Sequence, residues 1–151
     1  MGKAPRTVSL ILALIVSAVL NGQSVAGRWK TLDDRTGVAK AIVEIRVKDG
    51  KLYGTIEDIV LNGKEDARCT ECKGELAGAP IKGMQIINGL EQQDRYTWRG
   101  GDDSLFDPEQ GKSFRSKIWL DPEQPNLLRV RGYWMLFFRT QTWTRVADPT
   151  K

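Results

Sequence analysis

Histidine is absent from this 151-residue chain, and cysteine occurs only twice. Without histidine there is no Ser–His or Cys–His nucleophile pair, and no side chain that ordinarily titrates near neutrality to serve as a general base. Only carboxylates remain for acid–base work. Two thiols and no imidazole fall short of the roughly four ligands of a closed zinc site. Charges of both signs are interspersed, with no run of five alike, which argues against nucleic-acid binding by counterion release. The expectation is therefore no catalytic residue, no metal, no cofactor and no nucleic-acid partner.

Long hydrophobic runs are scarce as well. The one that stands out, Val8 to Leu20, has thirteen residues broken only by Ser9 and Ser17, short of the roughly 20 needed to span a bilayer. Lys3 and Arg6 precede it, and Ser24 and Ala26 provide small residues around a cleavage point after Ala26. Basic, apolar and small-polar segments in that order are the pattern of a secretory signal peptide. The reading is a signal peptide over residues 1–26 and one domain over 27–151, periplasmic or secreted, with no stable membrane span after cleavage. The leader holds two of the 23 Lys and Arg and none of the 19 acids, so the remaining 125 residues carry only +2.

Helical periodicity is missing beyond Gly27, and short alternating segments separated by Gly, Asp, Asn and Pro take its place. Ala41, Val43, Ile45 and Val47 alternate with Lys40, Glu44, Arg46 and Lys48, and Asp49-Gly50 follows, a pair suited to a two-residue type I′ turn. That turn sets Lys48 opposite Lys51, Val47 opposite Leu52 and Val43 opposite Ile56; a slip of one residue would move Leu52 to the wrong face. A second hairpin pairs Leu120 with Leu128, Ile118 with Val130 and Trp119 with Arg129, around a loop over Asp121 to Asn126, and brings Lys117 against Arg131. Further strands are predicted near Gly27 to Thr31, Gly83 to Leu90, Arg95 to Trp98, Tyr133 to Phe138 and Thr140 to Val146, about eight in all. Ile59 to Pro80 reads as a long connection with room for one short turn of helix.

So many consecutive hairpins in one small domain leave edges that closure into a barrel would remove. Gly27-Arg28-Trp29 at the start of the domain and Arg145 in its last strand resemble the lipocalin-like signature, in which a first-strand tryptophan closes one barrel end beneath a late arginine. The fold class expected is all-β: a small antiparallel, lipocalin-like (calycin-type) β-barrel with Trp29 and Arg145 at its closed end.

A more specific resemblance covers nearly the whole domain. Gly27-Arg28-Trp29, Asp33-Asp34-Arg35-Thr36-Gly37, Asp49 through Gly54, Cys69-Thr-Glu-Cys72, Ile81 through Met84, Trp98-Arg-Gly-Gly101, Asp107-Pro108 with Gly111-Lys112, Val130 through Tyr133 and Arg139 through Trp143 resemble, in order, the bacterial family known as domain of unknown function 2147. The resemblance implies an exported domain with a lipocalin-like barrel and no established activity. The chain departs from the pattern at Trp134-Met135-Leu136-Phe137-Phe138, where a glycine is expected soon after Tyr133.

An oxidising compartment makes a disulfide between Cys69 and Cys72 the first expectation, worth about 2 kcal/mol for so short a loop. A redox pair would need a helix start in a βαβ setting, which the pattern does not offer. Asp33-Asp34, and Asp102-Asp103 with Asp107, lie beside glycines in turn-like sequence and read as solvated turns rather than calcium or acid–base sites. Tyr133 to Phe138 is a run of six bulky apolar residues. Burial on both faces is its first reading, and a cavity wall or contact surface the second. From that second reading come Trp134, Phe137 and Trp143 as ligand-binding residues of a non-enzymatic barrel for a small apolar or amphipathic molecule. The competing expectation is an interaction module that meets an envelope protein through its outer surface, around Trp119 and Arg129.

Overall fold

The computed structural model describes residue 2 and residues 24–147. Most of the expected signal peptide lies outside the described residues. Eight strands run in order: β1 Gly27–Leu32, β2 Ala39–Lys48, β3 Lys51–Ile59, β4 Gln85–Asp94, β5 Thr97–Asp107, β6 Lys112–Asp121, β7 Gln124–Trp134 and β8 Phe137–Arg145. Each pairs antiparallel with the next, and β8 returns to β1 through Trp29 opposite Arg145 and Lys30 opposite Thr144. The sheet is a closed up-and-down barrel with no free edge. Among the described residues the one helical element is a 3-10 turn, Gly74–Leu76, inside the long β3–β4 connection.

Turn chemistry and apolar matching set two of the registers. Asp49 (φ 51°) and Gly50 (φ 73°) are both left-handed, as a type I′ turn requires. Lys48, Val47 and Val43 then face Lys51, Leu52 and Ile56. In β6–β7, Leu120, Ile118, Trp119 and Lys117 face Leu128, Val130, Arg129 and Arg131. All of these are the pairs read from the sequence.

Three segments differ from the sequence reading. Arg95 and Tyr96 form the β4–β5 turn, and β5 continues well past Trp98 to Asp107. Gly100 through Asp103, read as a turn at the aspartates, instead make a bulge within it, where the register breaks between Gly100 and Leu105. The β6–β7 connection is only two residues, Asp121 pairing with Gln124 and the surplus residues bulging out of β7.

The third difference matters most. Tyr133 to Phe138 is not one strand but the end of β7, a two-residue turn at Met135-Leu136 and the start of β8, with Trp134 opposite Phe137. Nor is the run buried: Met135 is 76% exposed and Leu136 96%. Met135 has φ 52° while Leu136 has no positive φ, which fits a type II′ turn, whose first central position favours glycine. The glycine missing from the sequence pattern is replaced by a strained methionine.

Candidate functional site

Inward-facing side chains divide the barrel into a filled half and a hollow half. In the filled half Trp29, Ile45, Leu52, Leu90, Ile118 and Leu120 are buried together. Trp29 seals this end: its indole Nε1 donates to the Val25 carbonyl oxygen at 2.9 Å, and the Arg145 guanidinium carbon stands 4.2 Å from its ring centroid. Arg145 Nη2 donates to the carbonyl oxygens of Ser24 at 2.7 Å and Pro125 at 3.1 Å, lacing the incoming chain to the β6–β7 hairpin. Burial lowers the pKa of Arg145 from its ordinary value. Val25 is itself buried, so the chain just before Gly27 belongs to this end cap.

The hollow half holds a cavity of about 840 Å³, within the roughly 300–1,000 Å³ of small-molecule sites. Ile56, Ile86, Val130 and Trp143 form its deep wall and Leu105 and Phe114 its upper wall. At the rim, lysines 40, 64 and 112 and arginines 68 and 139 outnumber Asp107 and Glu109. An apolar shaft below a polar, predominantly cationic collar matches an amphipath held tail inward. Gly132 lies on the wall of the shaft, where an added Cβ would sit 3.4 Å from Leu105 Cδ2, an ordinary contact.

The residues singled out in the sequence lie at different depths. Trp143 is on the deep wall, and its indole Nε1 donates to Gln141 Oε1 at 3.0 Å. Trp134 and Phe137 line the rim, their rings stacked at 6.4 Å, with most of their surface open to solvent. Sequence reasoning missed Ile56, Ile86 and Leu105, on strands across the barrel, and the rim cations, which come from β2, the β3–β4 connection, β6 and β8.

The β3–β4 connection folds over one sector of the mouth as a flap. Backbone bonds from Cys69 N to Ala79 O and Gly78 N to Cys69 O, both 2.9 Å, make it a small hairpin. Cys69 and Cys72 are bonded to each other, with Cα atoms 5.3 Å apart. The loop they close sits on the β5–β6 turn: a Cβ at Gly111 would lie 2.2 Å from the Glu71 carbonyl oxygen, so only glycine fits there. Lys40 Nζ, 2.5 Å from Glu109 Oε1, ties β2 to the same turn. Where the flap returns, Asp58 and Lys82 pair at 2.8 Å, each shifting the other's pKa away from neutrality. The opposite sector of the mouth is bordered by the β7–β8 hairpin and the β1–β2 loop, joined by Arg139 and Asp34. In that loop Asp33 accepts from the amides of Arg35 and Thr36, and the Thr36 amide above all lowers its pKa. Asp33 is thus a turn residue.

The outer wall of β5 through β8 is unlike the rest. Arg99 faces Lys117, and Lys117 faces Arg131, a row of like charges across three strands. Lys117 Nζ and the Arg131 guanidinium lie 4.9 Å and 5.1 Å from the Trp119 ring centroid. Arg99, Arg115 and Glu91, which faces Arg99 from β4, border a second depression of about 530 Å³ on this wall. Among the described residues, no group of three or more His, Cys, Asp or Glu is arranged to hold a metal, and no helix is long and apolar enough to cross a membrane.

Comparison with known proteins agrees with the architecture. The model of a family described as "Uncharacterized protein conserved in bacteria (DUF2147)" matches residues 27–145. Among solved structures, one described as "Protein HP1028 from the human pathogen Helicobacter pylori belongs to the lipocalin family" superposes with a TM-score of 0.69 at 19% identity, covering 83% of this chain and 84% of that one. At that identity the likeness concerns the fold. No curated protein matches the chain.

Proposed function

This chain belongs to the DUF2147 family of uncharacterised bacterial proteins and is built as a lipocalin-like barrel, and from that premise we propose that it is a non-enzymatic carrier of a small amphipathic molecule. The observation that carries the reading is the hollow half of the lumen, a cavity of about 840 Å³ whose depth is apolar and whose open end is polar and charged. A filled barrel would gain stability from packing at the same place. Leaving that space costs packing energy that a ligand would restore. In the bound state the apolar tail lies against Ile86, Val130 and Trp143, and the polar head meets the rim cations, with Trp134 and Phe137 covering the exit.

The setting proposed for this activity is the periplasm or the exterior, after removal of the basic and apolar leader. Native mass spectrometry of the protein purified from its own cells tests both points together. The expected spectrum shows a chain shortened at its N-terminus with a bound adduct of a few hundred daltons that organic solvent releases. A chain that always flies bare, even after incubation with lipid extract, contradicts the carrier reading; an intact leader contradicts export with cleavage.

The alternative, action through the outer surface on an envelope partner, draws support from the cations and rings of the β5–β8 wall.

A further inference from the structure

The β7–β8 turn carries five consecutive apolar residues, Trp134 through Phe138, each more than half exposed. Isolated apolar residues are ordinary on protein surfaces, but a contiguous projecting cluster marks an interaction site. Its backbone adds a second sign, for Met135 holds a left-handed φ of 52° where glycine would rest without strain. Strained backbone positions of this kind cluster at functional sites.

Directly behind the tip lie cations that outnumber the acids near them: Glu91, opposite Arg99 at the far edge of the wall, is paired with Lys51, and the β5 acids lie in its bulge and at its end. No Asp or Glu occurs between Lys112 and Leu120, or anywhere in β7 and β8. Arg99, Arg115, Lys117, Arg129 and Arg131 take part in no ion pair among the described residues. The wall is continuous with the tip: the Arg131 guanidinium stands 4.2 Å from the Phe138 ring centroid, and that of Arg115 5.6 Å from Tyr133. Like charges on directly opposed strand positions repel, and a negatively charged partner removes the penalty.

We propose that the Trp134–Phe138 tip and the cationic wall behind it dock the barrel, mouth first, onto a bilayer containing anionic lipid. Spacing supports this occupant. Arg131 lies three residues before Trp134, where β7 ends at the turn, roughly 10 Å along the strand and about 8 Å along a tilted barrel axis. An apolar tip sunk about 5–10 Å into the headgroup region therefore sets Arg131 and Lys117, which face each other, near the level of the lipid phosphates, with Arg115, opposite Tyr133, closer to the tip. A soluble polyanion would use the wall and leave the tip in water. A second copy of this chain would cover the tip but bring two positive walls together. A bilayer satisfies both features, and it meets the mouth of the lumen, which opens at the same end.

Sedimentation of the processed protein, purified as its own cells export it, with vesicles tests the proposal. Vesicles of phosphatidylcholine with phosphatidylglycerol are expected to bind the protein, with weaker binding at high salt and a blue shift of tryptophan fluorescence that Trp134→Phe diminishes. Phosphatidylcholine alone is expected to bind it far less. Leu136→Ser, at a fully exposed position, is expected to weaken binding roughly tenfold, and Arg115→Gln with Lys117→Gln about fivefold per cation. Met135→Gly, which relieves the strained turn, is expected to weaken binding while raising the melting temperature, an outcome that separates docking from folding. Equal binding to both vesicle types, no binding to either, or a Leu136→Ser variant that binds like the wild type overturns the proposal. So does a tip substitution that changes only self-association, or a wall that prefers soluble polyanions to vesicles. The docking does not depend on the carrier reading: Gly132→Phe, which fills the lumen, is expected to bind vesicles normally.

Discussion

Arg145 illustrates how much one side chain can connect. From β8 it covers the face of Trp29 on β1 and donates to backbone carbonyls of the incoming chain and of the β6–β7 hairpin. In the processed chain Arg145→Leu removes a cation–π contact and leaves the Pro125 carbonyl without its donor, an expected loss of about 2 kcal/mol in urea unfolding. A loss below about 1 kcal/mol would mean that Trp29 packing alone seals the end. Trp29 and Arg145 were legible in the sequence through their resemblance to a known signature. Val25 was not: it stands among small residues that read as a cleavage motif, and its burial depends on the Trp29 indole reaching back to its carbonyl oxygen. Processing after Ala26 would remove that acceptor, so sequencing the N-terminus of the exported protein bears directly on how the end is closed.

Strands were legible where alternation and turn chemistry agreed. The β2–β3 register followed from Asp49-Gly50 together with apolar pairing, and β6–β7 from Leu120 and Ile118 meeting Leu128 and Val130. Reading failed where local chemistry and structure part ways. Gly100 through Asp103 carry every mark of a turn yet form a bulge inside β5, where the Asn88 side-chain amide of β4 donates to the Asp103 carbonyl oxygen. Met135-Leu136 carries no mark of a turn, because the strained position lacks the glycine that would announce it. The flap is the element most open to test. Cys69 and Cys72 close a loop of four residues that rests on the β5–β6 turn, so replacing both with serine is expected to cost about 2 kcal/mol at most. Hydrogen exchange should speed up in residues 66–80 and around Gly111 while β2 and β3 remain protected. Global unfolding of the variant would show instead that the disulfide holds the barrel together.

At the scale of the whole molecule, the meaning of the inward residues depends on barrel closure. Alternation marks Ile56, Ile86, Val130 and Trp143 as buried, but equally so Ile45, Leu90 and Ile118, and nothing in their local sequence says which set faces empty space. That distinction comes from how far each lies from the end that Trp29 seals. Trp134, Phe137 and Trp143 were legible because bulky side chains cluster there in sequence; the rim cations come from β2, the flap, β6 and β8 and meet only after closure. Gly132 gives the most direct access to the central claim, since a side chain added there projects into the cavity without backbone strain. The decisive measurement is a fluorescence titration of 1-anilinonaphthalene-8-sulfonate into the wild type and Gly132→Phe, with thermal unfolding of both. A hollow carrier predicts saturable binding by the wild type, at least about tenfold weaker binding by the variant, and a melting temperature in the variant that is unchanged or higher. Equal binding by both proteins, or none by either, would contradict it.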